Sequence, residues 1–160
     1  MSRKRPQAGT VHVAPPSCHL LVAPGGALAL SHADRVNFCR PAVDVLFRSL
    51  ADVHGMRAIG VVLTGMGRDG AHGIAAIRRR GGLTMAQDDA TAEAPGMPSA
   101  AIDIGRADMV LPLDRIAAAL TAAASLEEGG GTGTNDEDNG ARQGSNEAVV
   151  RRSHAYWDRL

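Results

Sequence analysis

Apolar and polar positions along the chain fall into two alternating periods. Val11-His12-Val13-Ala14 and Leu20-Leu21-Val22-Ala23 are short apolar runs closed by Pro15-Pro16 and Pro24-Gly25-Gly26, the pattern of strands joined by tight turns; Ala27 to Leu30 is a candidate third. From Pro41 the period changes. Proline suits a first helical turn, and Val43, Leu46, Phe47 and Leu50 then recur at three- and four-residue spacing until Gly55. Ile59 to Leu63 is an apolar, β-branched run suited to a strand buried on both faces. After the glycine-rich stretch Thr64 to Gly70 comes a helix over Ala71 to Arg80. It turns Ile74 and Ile77 inward and ends on Arg78-Arg79-Arg80, cations that suit the negative end of the helix dipole. Gly81-Gly82 stop it. Leu83 to Gln87 reads as a strand, Asp88 to Gly96 as a polar loop and Pro98 to Ile104 as a short helix. Met109 to Leu111 is a short strand and Leu113 to Ala124 a closing helix. Strand and helix alternate, which predicts a layered α/β fold with a parallel sheet.

The two ends read differently. Residues 1–8 are a polar, basic lead, expected to be disordered. From residue 125 on, Glu127-Glu128, Gly129-Gly130-Gly131 and Asn135-Asp136-Glu137-Asp138-Asn139 supply no core, and 125–160 is expected to be a disordered tail. Val149-Val150 and Tyr156-Trp157 are its apolar spots, with Trp157 either a docking anchor or solvated chain. The whole chain is 44% apolar but only 2% aromatic, so Ala, Val, Leu, Ile and Met must build the core.

Charge narrows the partners. Lys plus Arg and Asp plus Glu are both 17, so net charge gives no case for nucleic acid or an anionic membrane as the main partner. No stretch is long and apolar enough to cross a bilayer, and the basic N-terminus lacks the apolar segment of a secretory signal. A cytoplasmic protein is expected. Cys18 and Cys39 are too few for a disulfide framework and lack metal-ligand spacing; they read as reduced thiols. No cofactor or metal is expected.

Chemistry concentrates in Val61-Val62-Leu63-Thr64-Gly65-Met66-Gly67-Arg68-Asp69-Gly70-Ala71, a strand, a glycine turn and a helix N-terminus. Backbone N–H groups of such a turn point outward and suit an anion or a developing negative charge. Gly65 to Gly70 literally matches GxGxxG, and Asp88-Asp89 stands near the position of a ribose-binding acid. A dinucleotide site would, however, place the Asp69 carboxylate where a pyrophosphate belongs, and strands precede the motif. The bland alternative makes Asp69 the N-cap of the helix that follows. It does not explain why Gly65, Met66 and Gly67 crowd the C-terminal end of a parallel strand, where α/β proteins bind ligands. That position places Asp69 beside an open polar notch bordered by Met66.

Leu63 to Gly73, LTGMGRDGAHG, resembles the signature of the chemotaxis receptor methylesterases, the CheB-type protein-glutamate methylesterases. Further matches occur in order. They are Gly9 to Pro16 with His19, then Val36-Asn37 and Arg40-Pro41-Ala42-Val43-Asp44-Val45-Leu46-Phe47, then Ala86-Gln87 followed by Gly96-Met97-Pro98 and Ala101-Ile102. The resemblance runs from about Gly9 to Leu120. It implies a three-layer, doubly wound, mostly parallel (Rossmann-like) domain that hydrolyses glutamate methyl esters on the cytoplasmic helices of chemoreceptors and deamidates receptor glutamines. By motif match Asp69 is the histidine-orienting aspartate of a Ser-His-Asp triad, and the backbone N–H of Met66 contributes to the oxyanion hole.

The sequence departs from that family in two places. The nucleophile's GxSxGG-type turn and the histidine's "QH" pair are both missing. None of Ser2, Ser17, Ser31, Ser49, Ser99, Ser125, Ser145 and Ser153 follows an apolar strand in a glycine turn. His19 and His72 lie near motifs without matching the catalytic histidine. His12 reads as a strand-face residue, and His32, His54 and His154 as surface. The expectation is therefore an N-terminally truncated catalytic domain over 9–124: a truncated paralogue, a mis-started gene product or half of a split domain. Two functions are compatible with it. One is a methylesterase piece that needs a separate chain to supply Ser and His; the other is a non-catalytic domain that binds receptors or other chemotaxis proteins.

Overall fold

Ile59 and Val61, half-buried, and Val62, buried, lie in a four-residue strand, and Leu83 to Gln87 pairs beside it in parallel. The computed structural model describes residues 4–105 and 107–128. Its elements are β1 (His19–Val22), β2 (Leu28–Ser31), α1 (Val43–His54), a 3₁₀ turn (Gly55–Arg57), β3 (Ile59–Val62), α2 (Ala71–Arg79), β4 (Leu83–Gln87), α3 (Gly96–Ala100), a π-helical turn (Ala101–Gly105), β5 (Met109–Leu111) and α4 (Leu113–Glu128). β3, β4 and β5 form a parallel sheet in that order, with Ile59 opposite Leu83 and Met85 opposite Met109. β1 and β2 form a separate antiparallel hairpin, with His19 opposite Ser31 and Val22 opposite Leu28. The fold is α/β, as the alternation of periods predicts.

The core is aliphatic apart from one ring. Phe47 and Ala51 of α1 meet Ile74 and Ile77 of α2, and Ala58, Val62 and Ala101 complete the cluster. α1 packs on α2 and on β1, and α2 packs on β3 and β4. The Val22 N–H donates to Ser49 Oγ at 2.9 Å, which fixes the hairpin to α1. α1 and α2 cross closely at Gly73, where a Cβ would stand 2.5 Å from that of Phe47 and 3.2 Å from Asp44 Cα. Only glycine fits that crossing.

Three expectations differ from the structure. Val11 to Ala14 is not a strand: Val11 is 89% and Val13 83% exposed, and no neighbouring strand takes up their backbone groups. Alternation without a partner does not make a strand. The N-terminal lead is not wholly irregular, because Lys4 and Leu28 exchange two backbone hydrogen bonds of 3.1 and 2.8 Å. The closing helix runs four residues past Ala124, to Glu128. The tail expected beyond it, with Trp157, lies outside the described residues. Among those described, no helix is long and apolar enough to cross a membrane.

Candidate active site

A buried glutamine holds the glycine turn at the C-terminal end of β3. Gln87, the last residue of β4, accepts the Thr64 N–H at 2.8 Å through Oε1 and donates through Nε2 to the Thr91 carbonyl at 2.8 Å. The two ends of the amide thus tie the turn after β3 to the loop after β4. Residues 94–97 complete the frame: the Gly65 N–H donates to the Ala94 carbonyl and the Met97 N–H to the Gly65 carbonyl, both at 2.8 Å. The Ala94 N–H donates to Thr64 Oγ1, also at 2.8 Å. A side chain on Gly96 would press on the backbone of Gly67, at 3.0 Å from its nitrogen and 3.1 Å from its oxygen. Within this frame Met66 is left outward, 86% exposed, and none of the hydrogen bonds among the described residues uses its N–H.

Asp69 follows the turn and is 5% exposed. It does not cap its own helix: Gly70 occupies the N-cap of α2, at φ 96°, with no side-chain cap. Its carboxylate reaches instead to α1. Oδ2 accepts the Val43 N–H at 2.6 Å and Oδ1 the Asp44 N–H at 3.1 Å. These are first-turn amides, which have no acceptor within their own helix. Asp44 returns the arrangement. It is fully buried, and its Oδ1 accepts the Gly73 N–H in the first turn of α2 at 2.6 Å. The α1 N-terminus is thus met by Asp69 from the turn just before α2, and the α2 N-terminus by Asp44 of α1, where the dipole favours negative charge. Asn37 joins the two acids: Nδ2 donates to Asp44 Oδ2 at 2.8 Å and, more weakly, to Asp69 Oδ1 at 3.4 Å. Two carboxylate acceptors fix which end of that amide carries the NH₂.

The sequence places Asp69 correctly after β3, but it does not face an open notch. Its carboxylate is turned into the junction of α1 and α2 because three N–H donors lie there. Those bonds fill three of about four acceptor positions of a carboxylate, leaving one, on Oδ2. Sequence reasoning missed Gln87 and Asp44 as supports. Asp44 did carry a signal: with Phe47 and Ala51 it lies on the buried stripe of α1, at a spacing of three then four, and an acid there needs internal donors. His72, on α2, is exposed. His19 is 1% exposed and bonded away from the turn, with Nδ1 accepting the Ala42 N–H at 3.2 Å and Nε2 3.0 Å from the Asp34 carbonyl. No three His, Cys, Asp or Glu side chains stand together as a metal-binding group among the described residues.

Residues 1–120 match the family model described as CheB methylesterase. The chain is 52% identical over 112 residues to the protein-glutamate methylesterase FrzG of Myxococcus xanthus, an alignment covering 70% of this chain and 34% of that protein. It is 50% identical over 115 residues to a protein-glutamate methylesterase/protein-glutamine glutaminase of Pseudomonas aeruginosa, covering 70% and 33%. Against both, it spans about one-third of the relative's length. Among solved structures, the catalytic domain of the Thermotoga maritima CheB methylesterase superposes with a TM-score of 0.64 at 37% identity, covering 68% of this chain and 59% of that one.

Proposed function

The chain belongs to the CheB methylesterase family, and on that premise we propose that it carries the aspartate and oxyanion part of a protein-glutamate methylesterase site. The substrate is a glutamate methyl ester on a chemoreceptor helix, or a receptor glutamine in the deamidation. Serine oxygen adds to the ester carbonyl, the Met66 N–H receives the oxyanion, and methanol leaves with the proton that histidine took from serine. Water then cleaves the acyl-serine to give glutamate. Asp69 orients the histidine through the acceptor position its α1 bonds leave on Oδ2. Serine and histidine come from a segment outside this sequence.

The observation that carries this reading is the framed turn at the end of β3, which leaves the Met66 N–H without an acceptor among the described residues. A second reading, a receptor- or partner-binding domain without catalysis, has one observation in its favour: the Asp69 carboxylate is already used to join α1 to α2.

Methanol release from a methylated receptor peptide separates the two. The 160-residue chain alone is expected to give none above background, since loss of triad members costs on the order of 10⁴- to 10⁶-fold. Mixed with the part of the Thermotoga catalytic domain that carries the nucleophile turn, it is expected to release methanol, and Asp69→Asn to abolish that release. Release by the chain alone would overturn the division of the triad. A mixture that forms a complex but stays inactive would favour the binding reading.

A further inference from the structure

His19 is buried in the first residue of β1, and the reaction above has no use for it. Its two ring nitrogens are both engaged. A backbone N–H can only donate, so the Ala42 N–H at 3.2 Å makes Nδ1 the acceptor. The ring proton then sits on Nε2 and is donated to the Asp34 carbonyl at 3.0 Å. Ala42 is the N-cap residue of α1, and it has no side-chain cap of its own. The next two amides, Val43 and Asp44, donate to Asp69. Three consecutive N–H groups at the start of α1 are thus held by two side chains, His19 from one side and Asp69 from the other. Asp69 lies 26 residues beyond Val43 in sequence.

We infer that His19 is a positioning residue for Asp69, fixing the α1 N-terminus against which the carboxylate is aligned. The positions of Asp69 Oδ1 and Oδ2 are set by the Val43 and Asp44 amides. Those amides are set by the peptide before them, and that peptide is anchored by His19 to the hairpin and to the 34–42 segment. Without the Nδ1 acceptor the Ala42 N–H must find water or another partner, which a buried site does not offer cheaply. The first turn of α1 then loosens, and the carboxylate loses its fixed donors. The consequence for catalysis rests on the methylesterase reading; the consequence for the α1 amides does not.

Isosteric variants separate positioning from packing. His19→Asn keeps an oxygen near the place of Nδ1, whereas His19→Gln keeps a donor near the place of Nε2. Amide hydrogen exchange read by NMR on the full chain is expected to leave Ala42, Val43 and Asp44 close to wild-type protection in His19→Asn. In His19→Gln these amides should exchange about tenfold faster or more, with Met85 and Ala86 of β4 unchanged. Equal protection of residues 42–44 in both variants, or parallel loss across β4 and α1, would overturn the inference. A second measurement needs no variant: the ¹⁵N shifts of the wild-type ring must show the Nε2–H tautomer, and the Nδ1–H tautomer would overturn it. In the methanol-release mixture, His19→Gln should lower kcat and leave KM in place. An inactive wild-type mixture would count against the methylesterase reading, while the exchange data still decide the role of His19.

Discussion

At the scale of single residues, the two acids at the α1–α2 junction carry obligations that a substitution exposes. Asp69→Ala strands the Val43 and Asp44 amides in a buried site and removes a favourable helix-terminus charge. We expect a loss of about 2–3 kcal/mol in urea unfolding, and roughly half that for Asp69→Asn, which keeps one carbonyl acceptor. A loss below about 0.5 kcal/mol for the alanine variant would show that water replaces the carboxylate freely. Gly73→Ala forces a methyl against Phe47 and should cost about 2 kcal/mol or more; thermal unfolding checks it. The sequence makes Asp69 conspicuous because it sits in a glycine turn, but it does not disclose which donors it takes. Its partners lie on a helix 25 and 26 residues earlier, and a distance of that kind is set by packing rather than by local pattern. His19 and Gln87 stand in motifs of the sequence, but their roles are hidden for the same reason: a buried polar side chain looks like a surface one until its partners are known.

At the scale of elements, α1, α2, β3, β4 and β5 fall where the change of apolar period from two to between three and four places them; α1, α2 and β4 bury a continuous stripe or run, β3 buries alternate residues, and β5 leaves Val110 exposed. The failure at Val11 to Ala14 is instructive beside the success of β1. Leu20 and Val22 are buried and pair with β2, whereas Val11 and Val13 alternate equally well and meet nothing. Strand propensity becomes a strand only when a neighbour supplies the ladder. β3, like β5, is an edge strand of its sheet among the described residues, although its apolar run is of the kind found inside parallel sheets. Backbone amides of β3 are therefore expected to exchange faster on average than those of β4, which has a strand on each side. The chain is also expected to self-associate as its concentration rises. Slow, uniform exchange across both strands in a strictly monomeric sample would mean that the edge is covered.

At the scale of the whole molecule, the junction that joins α1 to α2 has a consequence for the order in which the chain acquires structure during synthesis. A helix of twelve residues is marginal in water by itself. The acceptors for the first turn of α1 are translated 25 and 26 residues after it, and the Gly73 amide that Asp44 accepts follows 29 residues after Asp44. At about 5–20 residues per second, α1 waits on the order of one to five seconds for them. The α1 N-terminus is incomplete until Asp69 has left the ribosome, and the α2 N-terminus then closes on Asp44, already made, as Gly73 emerges, so the two close late and in quick succession. Ribosome-stalled chains of graded length should stay protease-sensitive in α1 while Asp69 is still inside the exit tunnel, and become resistant once α2 has emerged. Early resistance would show that α1 stands on the hairpin alone. For the cell, the interval is one in which Phe47 and its neighbours are exposed beside a growing chain, and a chaperone that binds apolar segments would find its target there rather than in the finished protein.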